Sequence, residues 1–265
     1  LNNAHKDYEA TCIRHYEAFW RQGVPVDILS MEGDFSGYRL LVAPMLYMLR
    51  PGVAERIEAF VAGGGTFVTT YCSGMVDEND LCFLGGFPGP LRRVLGVWDE
   101  ETDGLYDEDE GRVRILDSGR TYAVRQLCDI LHAETAEVLA VYDADFQAGS
   151  PALTVNRFGK GQAYFIAFRN LDDFEADFYA GLVRDLGLVR VLDAELPDGV
   201  TAQLRSDGER DFVFLMNVSP EPREVRLQDP AGLRDFLSGN GLGDGTILLP
   251  PLGFRILERP AVGLF

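Results

Sequence analysis

The chain has 265 residues, 46% of them apolar, with 42 acidic side chains against 24 basic ones and a formal charge of −18. That length suits one large domain or two ordinary ones, and that apolar fraction supports a packed core. The acidity argues against nucleic acid and anionic membrane surfaces, which both select clustered Lys and Arg, and no run approaches the roughly 18 apolar residues of a membrane-spanning helix.

The amino terminus has no apolar signal core and no initiator Met, so the chain reads as a piece of a longer, cytoplasmic protein. Tyr8, Cys12, Tyr16, Phe19 and Trp20 recur at helical spacing, and Gly23 ends that helix. Residues 24–29 (VPVDIL) read as a strand and residues 40–43 (LLVA) as a short buried one. Pro51 suits the first turn of the next helix, where a missing N–H costs little. Val53, Ile57, Phe60 and Val61 form its inner face. Gly63, Gly64 and Gly65 stop it, and residues 66–70 (TFVTT) form the next strand. Strand, helix and strand in this order imply a parallel crossover.

A long loop follows from Ser73, ending in a short helix near residues 90–95. Residues 99–110 hold eight acidic side chains and no base, which predicts a solvated or mobile loop. Strands are expected at 113–116, 122–128, 137–142, 152–158 and 162–168, the last two joined as a hairpin through Gly159 and Gly161. Phe174, Phe178, Leu182, Val183 and Leu186 mark an amphipathic helix. Beyond about residue 196, runs of strand type dominate (200–204, 212–218, 224–227, 246–249 and 254–257), with Asp207-Gly208 as a hairpin turn. The fold class is therefore α/β, a mostly parallel sheet flanked by helices over residues 1–195, followed by a small antiparallel all-β domain over 196–265.

The most telling segment is 70–91, TYCSGMVDENDLCFLGGFPGPL. It follows a strand, where α/β proteins build their sites. Cys72 occupies the position of a nucleophile on a strand-to-helix elbow, but of its flanking positions only Gly74, not Thr70, is small enough for such a strained turn. A nucleophilic cysteine also needs a base. The three histidines are His5, His15 and His132. His132 and Glu134 have the His-x-Glu spacing of glutamine amidotransferases, but they precede the strand that should carry them; Arg169 and Asn170 follow it. Cys72 is read as structural, the four cysteines as reduced thiols, and Asn217-Val-Ser219 as an unused sequon in an apolar strand. The glycine clusters follow a helix or join a hairpin, the wrong order for a phosphate cradle. The acidic run lacks the spacing of a Ca²⁺ loop. No catalytic residue, metal ligand or cofactor is assigned.

Contact chemistry remains. Met45, Leu46, Tyr47, Met48 and Leu49 follow one strand, and Leu81, Phe83, Leu84 and Phe87 follow the next, after Ser73 and the polar run Asp77, Glu78, Asn79 and Asp80. Both groups belong on one edge of the sheet, where contiguous apolar loops fold inward as local core or are covered by another subunit. The second reading makes ten residues of these loops a subunit interface (Met45, Leu46, Tyr47, Ser73, Asp77, Glu78, Asn79, Asp80, Phe83 and Phe87), with Asp77 to Asp80 shaping the loop or its contacts. Phe212 and Phe214 share one strand face and are expected in the core of the carboxyl-terminal domain, which leaves little aromatic surface for a sugar-binding module.

Three stretches, YRLLVAPMLYML (38–49), GGGTFVTTY (63–71) and SGMVDENDLCFLGGFPGPL (73–91), resemble the family-42 glycoside hydrolases, the bacterial β-galactosidases. The match is to their trimerisation domain over about residues 5–190, and the remainder resembles their carboxyl-terminal β domain. The resemblance implies an amidotransferase-like (flavodoxin-like) fold without its ancestral chemistry, assembly into a homotrimer, and partnership with a catalytic barrel. Such a barrel takes about 250 residues, and no eight-fold βα pattern exists here. No carboxylate of this chain inherits the family's catalytic glutamates. The resemblance also implies a parent enzyme that hydrolyses terminal β-D-galactosides with retention.

Overall fold

The computed structural model describes residues 7–106 and 108–263; His5 lies outside them. Its contacts divide the chain into two units, Leu1–His15 with Leu29–Glu175, and Tyr16–Ile28 with Ala176–Phe265. No helix among the described residues is long and apolar enough to cross a membrane.

The first unit begins in helix α1 (Tyr8–Trp20), which ends where Gly23 adopts φ +65°. Strand β1 (Leu40–Ala43), helix α2 (Val53–Gly63) and strand β2 (Thr66–Thr70) form the expected parallel crossover, with Val42 opposite Val68. The inner face of α2 is the expected one: Val53, Ile57, Phe60 and Val61 are buried. Its glycine stop has a steric reason. Gly64 sits at φ +121°, and a Cβ on Gly65 would overlap the Phe60 ring.

After α3 (Arg92–Leu95) come β3 (Val97–Gly104), β4 (Gly111–Ile115), β5 (Thr121–Val124), β6 (Leu127–Ala133), β7 (Glu137–Tyr142), β8 (Pro151–Phe158) and β9 (Gly161–Ile166). Seven strands make one sheet in the order β1-β2-β9-β8-β7-β4-β5. Only β1, β2 and β9 run parallel; β8, β7, β4 and β5 join antiparallel. The α/β class stands, but the sheet is mixed rather than mostly parallel. The physical reason is connection length: β8 and β9 are joined by a two-residue hairpin, which can only return antiparallel.

Three local expectations are corrected. Residues 24–29 form no strand, and Ile28 is 87% exposed; strand propensity without a ladder partner does not make a strand. The strand expected over 122–128 breaks at Gln126, whose φ is +67°, and a new strand, β6, starts at Leu127. The acidic run is not wholly a loop. Its first part is β3, paired antiparallel with β6 through a bulge between Asp99 and Thr102, and Asp99 is fully buried. Asp107 lies outside the described residues.

The second unit takes in helix α4 (Phe174–Asp185) from Ala176 onward and a four-stranded antiparallel sheet, β10-β11-β15-β13. Its strands are β10 (Val200–Ser206), β11 (Arg210–Asn217), β13 (Arg234–Asp235) and β15 (Phe254–Pro260). The Asp207-Gly208 hairpin is present, with the Asp207 carboxylate accepting from the Glu209 and Arg210 amides. A ribbon of β12 (Arg223–Arg226) and β14 (Thr246–Leu249) packs Val225, Ile247 and Leu249 onto Ala202, Leu204, Val213, Leu215 and Leu257. Phe212 and Phe214 are not in that core. They lie half-buried on the opposite face, Phe212 edge-on to Phe236 with 5.4 Å between centroids. Both faces of β11 are apolar, so a period of two residues could not tell which one turns inward. Asn217 is buried and its amide donates to the Glu221 and Pro250 carbonyls, which removes it as a glycan acceptor.

Candidate functional site

The segment after β2 splits into two halves. Tyr71 to Val76 are all buried; Asp77 to Phe87 are exposed or half-buried. The buried half is a true strand-end elbow. Cys72 has φ +57°, which a non-glycine residue adopts only when its surroundings hold it there. Gly74, at φ +62°, supplies the close approach, because a Cβ there would overlap the Pro88 carbonyl. The side chains beside the elbow secure the chain to itself. The Thr69 and Ser73 hydroxyls are 2.7 Å apart, Ser73 Oγ accepts from the Leu46 amide, and Thr70 Oγ1 accepts from the Met45 amide.

Arg169, directly beyond β9, stands where an amidotransferase would carry its histidine. It is buried, donating to Tyr71 Oη (2.8 Å), Gln126 Oε1 (2.9 Å) and Thr11 Oγ1 (3.2 Å), with its guanidinium 5.4 Å from the Tyr71 ring centroid. No histidine is among the groups that act on the Cys72 thiol. Burial, reinforced by the Asp129 carboxyl, pushes that thiol up to about 12, so it carries no thiolate at neutral pH. His15 is buried, and burial holds its imidazole down at about 3. His132 is half-exposed, pairs through Nε2 with Glu100 at 2.7 Å and stacks on Trp98. Glu134 pairs with Arg92 at 2.5 Å instead of serving His132. Elbow geometry is present, and among the described residues neither His15 nor His132 is one of the groups acting on its thiol.

Beneath the elbow lie two side chains that the motif reading missed, Asp99 and Asp129, both fully buried. Thr102 Oγ1 donates to Asp129 Oδ1 at 2.7 Å, and the Cys72 amide also donates to the Asp129 carboxyl. Burial raises Asp99 to about 7 and Asp129 well above its ordinary value, the second helped by the charge of the first. A signal for Asp129 existed: it is the one charged residue in the apolar run LCDIL (127–131). Asp99 was hidden by its acidic neighbours.

The exposed half forms a crest with the loop after β1, as expected from their shared sheet edge. Gly74 and Met75 amides donate to the Leu46 and Tyr47 carbonyls, and Leu49 donates to Val76. Asp77 Oδ1 accepts from the Asn79 and Leu81 amides, closing a turn around Asp80, and Tyr47 Oη reaches Asp80 at 3.3 Å. Of the ten residues assigned to contact, Ser73 and Met45 are inside the chain and offer no surface. Leu46 and Phe83 pack partly on the α2-side core, and Phe87 on the cluster around Tyr71 and Cys72. Tyr47, Glu78, Asn79 and Asp80 face outward, with Asp77 half-buried. Leu81 and Leu84, part of the apolar group expected on this edge but not among the ten, are its most prominent apolar side chains, at 64% and 98% exposure.

A family model described as the β-galactosidase trimerisation domain matches residues 1–189, and one described as the β-galactosidase C-terminal domain matches residues 199–259. The chain is 51% identical over 259 residues to β-galactosidase Pbg of Clostridium perfringens and to β-galactosidase BglY of Alicyclobacillus acidocaldarius, covering 96% of this chain and 37% of either relative. Among solved structures it is similar to the β-galactosidases of Bacillus circulans sp. alkalophilus (40% identity, TM-score 0.92, 97% of this chain, 38% of that one) and of Rahnella sp. R3 (46%, 0.91, 98%, 38%). The chain thus spans little more than a third of the relatives that it matches.

Proposed function

The chain belongs to the β-galactosidase trimerisation-domain family of the family-42 glycoside hydrolases, and from that membership we propose that it is a non-catalytic oligomerisation module, with its β domain, of a retaining β-galactosidase. The parent enzyme hydrolyses terminal β-D-galactosides by double displacement, using glutamates on a barrel outside this chain. The module assembles as a homotrimer in the cytoplasm, its crest meeting a neighbouring subunit's barrel or module. Domain boundaries near residue 195 separate the trimerisation part from the β tail.

One observation carries this reading: the strand-end position that would be an enzyme pocket is closed by Arg169 and a protonated thiol, while the adjacent crest presents Leu81, Leu84 and Tyr47 to the outside. Contiguous apolar loops in solvent mark interaction surfaces. The competing reading, a cysteine hydrolase on the same fold, would start from Cys72, whose thiol burial pushes up to about 12.

Sedimentation equilibrium of the enzyme that carries this segment tests the proposal. The native protein should have trimer mass, and Leu81→Asp with Leu84→Asp should shift it towards monomer. Mass unchanged by both substitutions overturns the crest as the contact. The isolated chain should show no cleavage of β-galactosides.

A further inference from the structure

Asp99 and Asp129 are both fully buried, and the burial of two carboxyls calls for an explanation. Both oxygens of Asp99 and Oδ2 of Asp129 are buried with no partner as long as both groups are ionised. Two ionised carboxylates buried next to each other are strongly disfavoured. One proton between them turns an acceptor into a donor and satisfies the pair, as in other carboxyl dyads.

The surroundings fit a proton better than a cation. The groups that reach Asp129 are donors, the Thr102 hydroxyl and the Cys72 amide, whereas a cation needs lone pairs. Among the described residues no group of three or more His, Cys, Asp or Glu side chains could hold a metal. The titratable groups facing the pair are Cys72 from the elbow, Cys128 from β6 and Tyr142 from β7. Burial pushes both thiols up to about 12 and the phenol upward, so all three are neutral near neutral pH. Asp103 and Asp145 add negative charge at Cys128, and Arg169, bonded to Tyr71, Gln126 and Thr11, adds positive charge at Cys72.

The dyad joins separate pieces of chain. Asp99 lies on β3, and its amide donates to the Phe87 carbonyl at 2.8 Å, at the end of the crest. Asp129 lies on β6; its amide donates to Ala167, and its carbonyl accepts from Tyr142 Oη at 3.1 Å. We propose that Asp99 and Asp129 form a proton-sharing latch that clamps the β3–β6 ribbon, and through Asp99 the Phe87 end of the crest, onto the elbow at Cys72, and that loss of the shared proton to solvent loosens it. The latch works whatever the crest docks against.

The sign follows from linkage. An unfolded Asp99 ionises near 3.8, whereas in the folded chain it keeps its proton to about 7. The stabilisation is therefore full below the unfolded value and is lost as pH rises through the folded one. Asp129, also raised, extends that loss in the same direction. Thermal midpoints of the whole chain should be compared with those of Asp99→Asn and Asp129→Asn between about pH 5 and about pH 8. Each amide can donate to the remaining carboxylate but does not titrate. The midpoint of either variant should rise relative to native as pH increases; a constant difference overturns the latch. Infrared spectra of the native chain at about pH 6, where an ordinary Asp is ionised, should show a protonated carboxyl band that both variants lack. Absence of that band from the native spectrum overturns the proposal even if neither variant folds. A native midpoint lowered by chelator assigns the site to a cation and overturns it too.

Discussion

The two halves of the segment after β2 share a backbone origin but differ in what surrounds them. Tyr71 to Val76 are enclosed, every hydroxyl beside them engaged and the thiol of Cys72 kept protonated. Between Asp77 and Phe87 the chain turns outward around the Asp77 carboxylate, with Phe83 and Phe87 packed back on the core and Leu84 98% exposed. The difference teaches that an elbow and a site are separable. The strained turn at Cys72 persists because neighbouring packing dictates it, while nucleophilic chemistry would also need a base beside the thiol.

The largest expected effect is at the hinge between the halves. Gly74→Ala would force a Cβ into the Pro88 carbonyl at φ +62°, so we expect a loss of about 3 kcal/mol or more, measured by urea unfolding; a near-native midpoint would mean that the elbow is not tightly packed. Next is Arg169→Met, which leaves Tyr71, Gln126 and Thr11 without their donor. It should cost about 2–3 kcal/mol and leave Cys72 unreactive to thiol reagents, since no base is created. Leu84→Asp should change the stability of the isolated chain by less than about 0.5 kcal/mol, because the side chain touches almost nothing, yet weaken self-association of the parent enzyme. Loss of stability there would show that the crest is local core after all. The smallest change is chemical: Cys82, exposed, should label promptly at neutral pH while buried Cys72 and Cys128 do not, as read by mass spectrometry of the intact chain.

Much of this organisation was legible beforehand. The β1–α2–β2 crossover, the β8–β9 hairpin and the strands of the second unit followed from periodicity and turn residues, because local propensity and burial agree there. The crest was legible from its motif and its place at strand ends. Legibility failed where a residue's role depends on a distant neighbour. Asp99 looked like one more charge in an acidic run, and only the pairing of β3 with β6 sets it against Asp129. Phe212 and Phe214 looked like core because nothing local distinguishes two apolar faces. Ser73 and Met45 looked available, and their burial is visible only once the loops after β1 and β2 close on each other.

The sequence by itself determined the class of fold and the family, since both are written in residue types and their spacing along the chain. Tertiary structure alone decided the mixed direction of the sheet, the strained turn at Cys72, the bonding of Arg169 to Tyr71, Gln126 and Thr11, and the meeting of two buried carboxyls. Those outcomes depend on which groups end up within a few ångströms of each other, and on how little water is left between them, and neither quantity is local to any stretch of sequence.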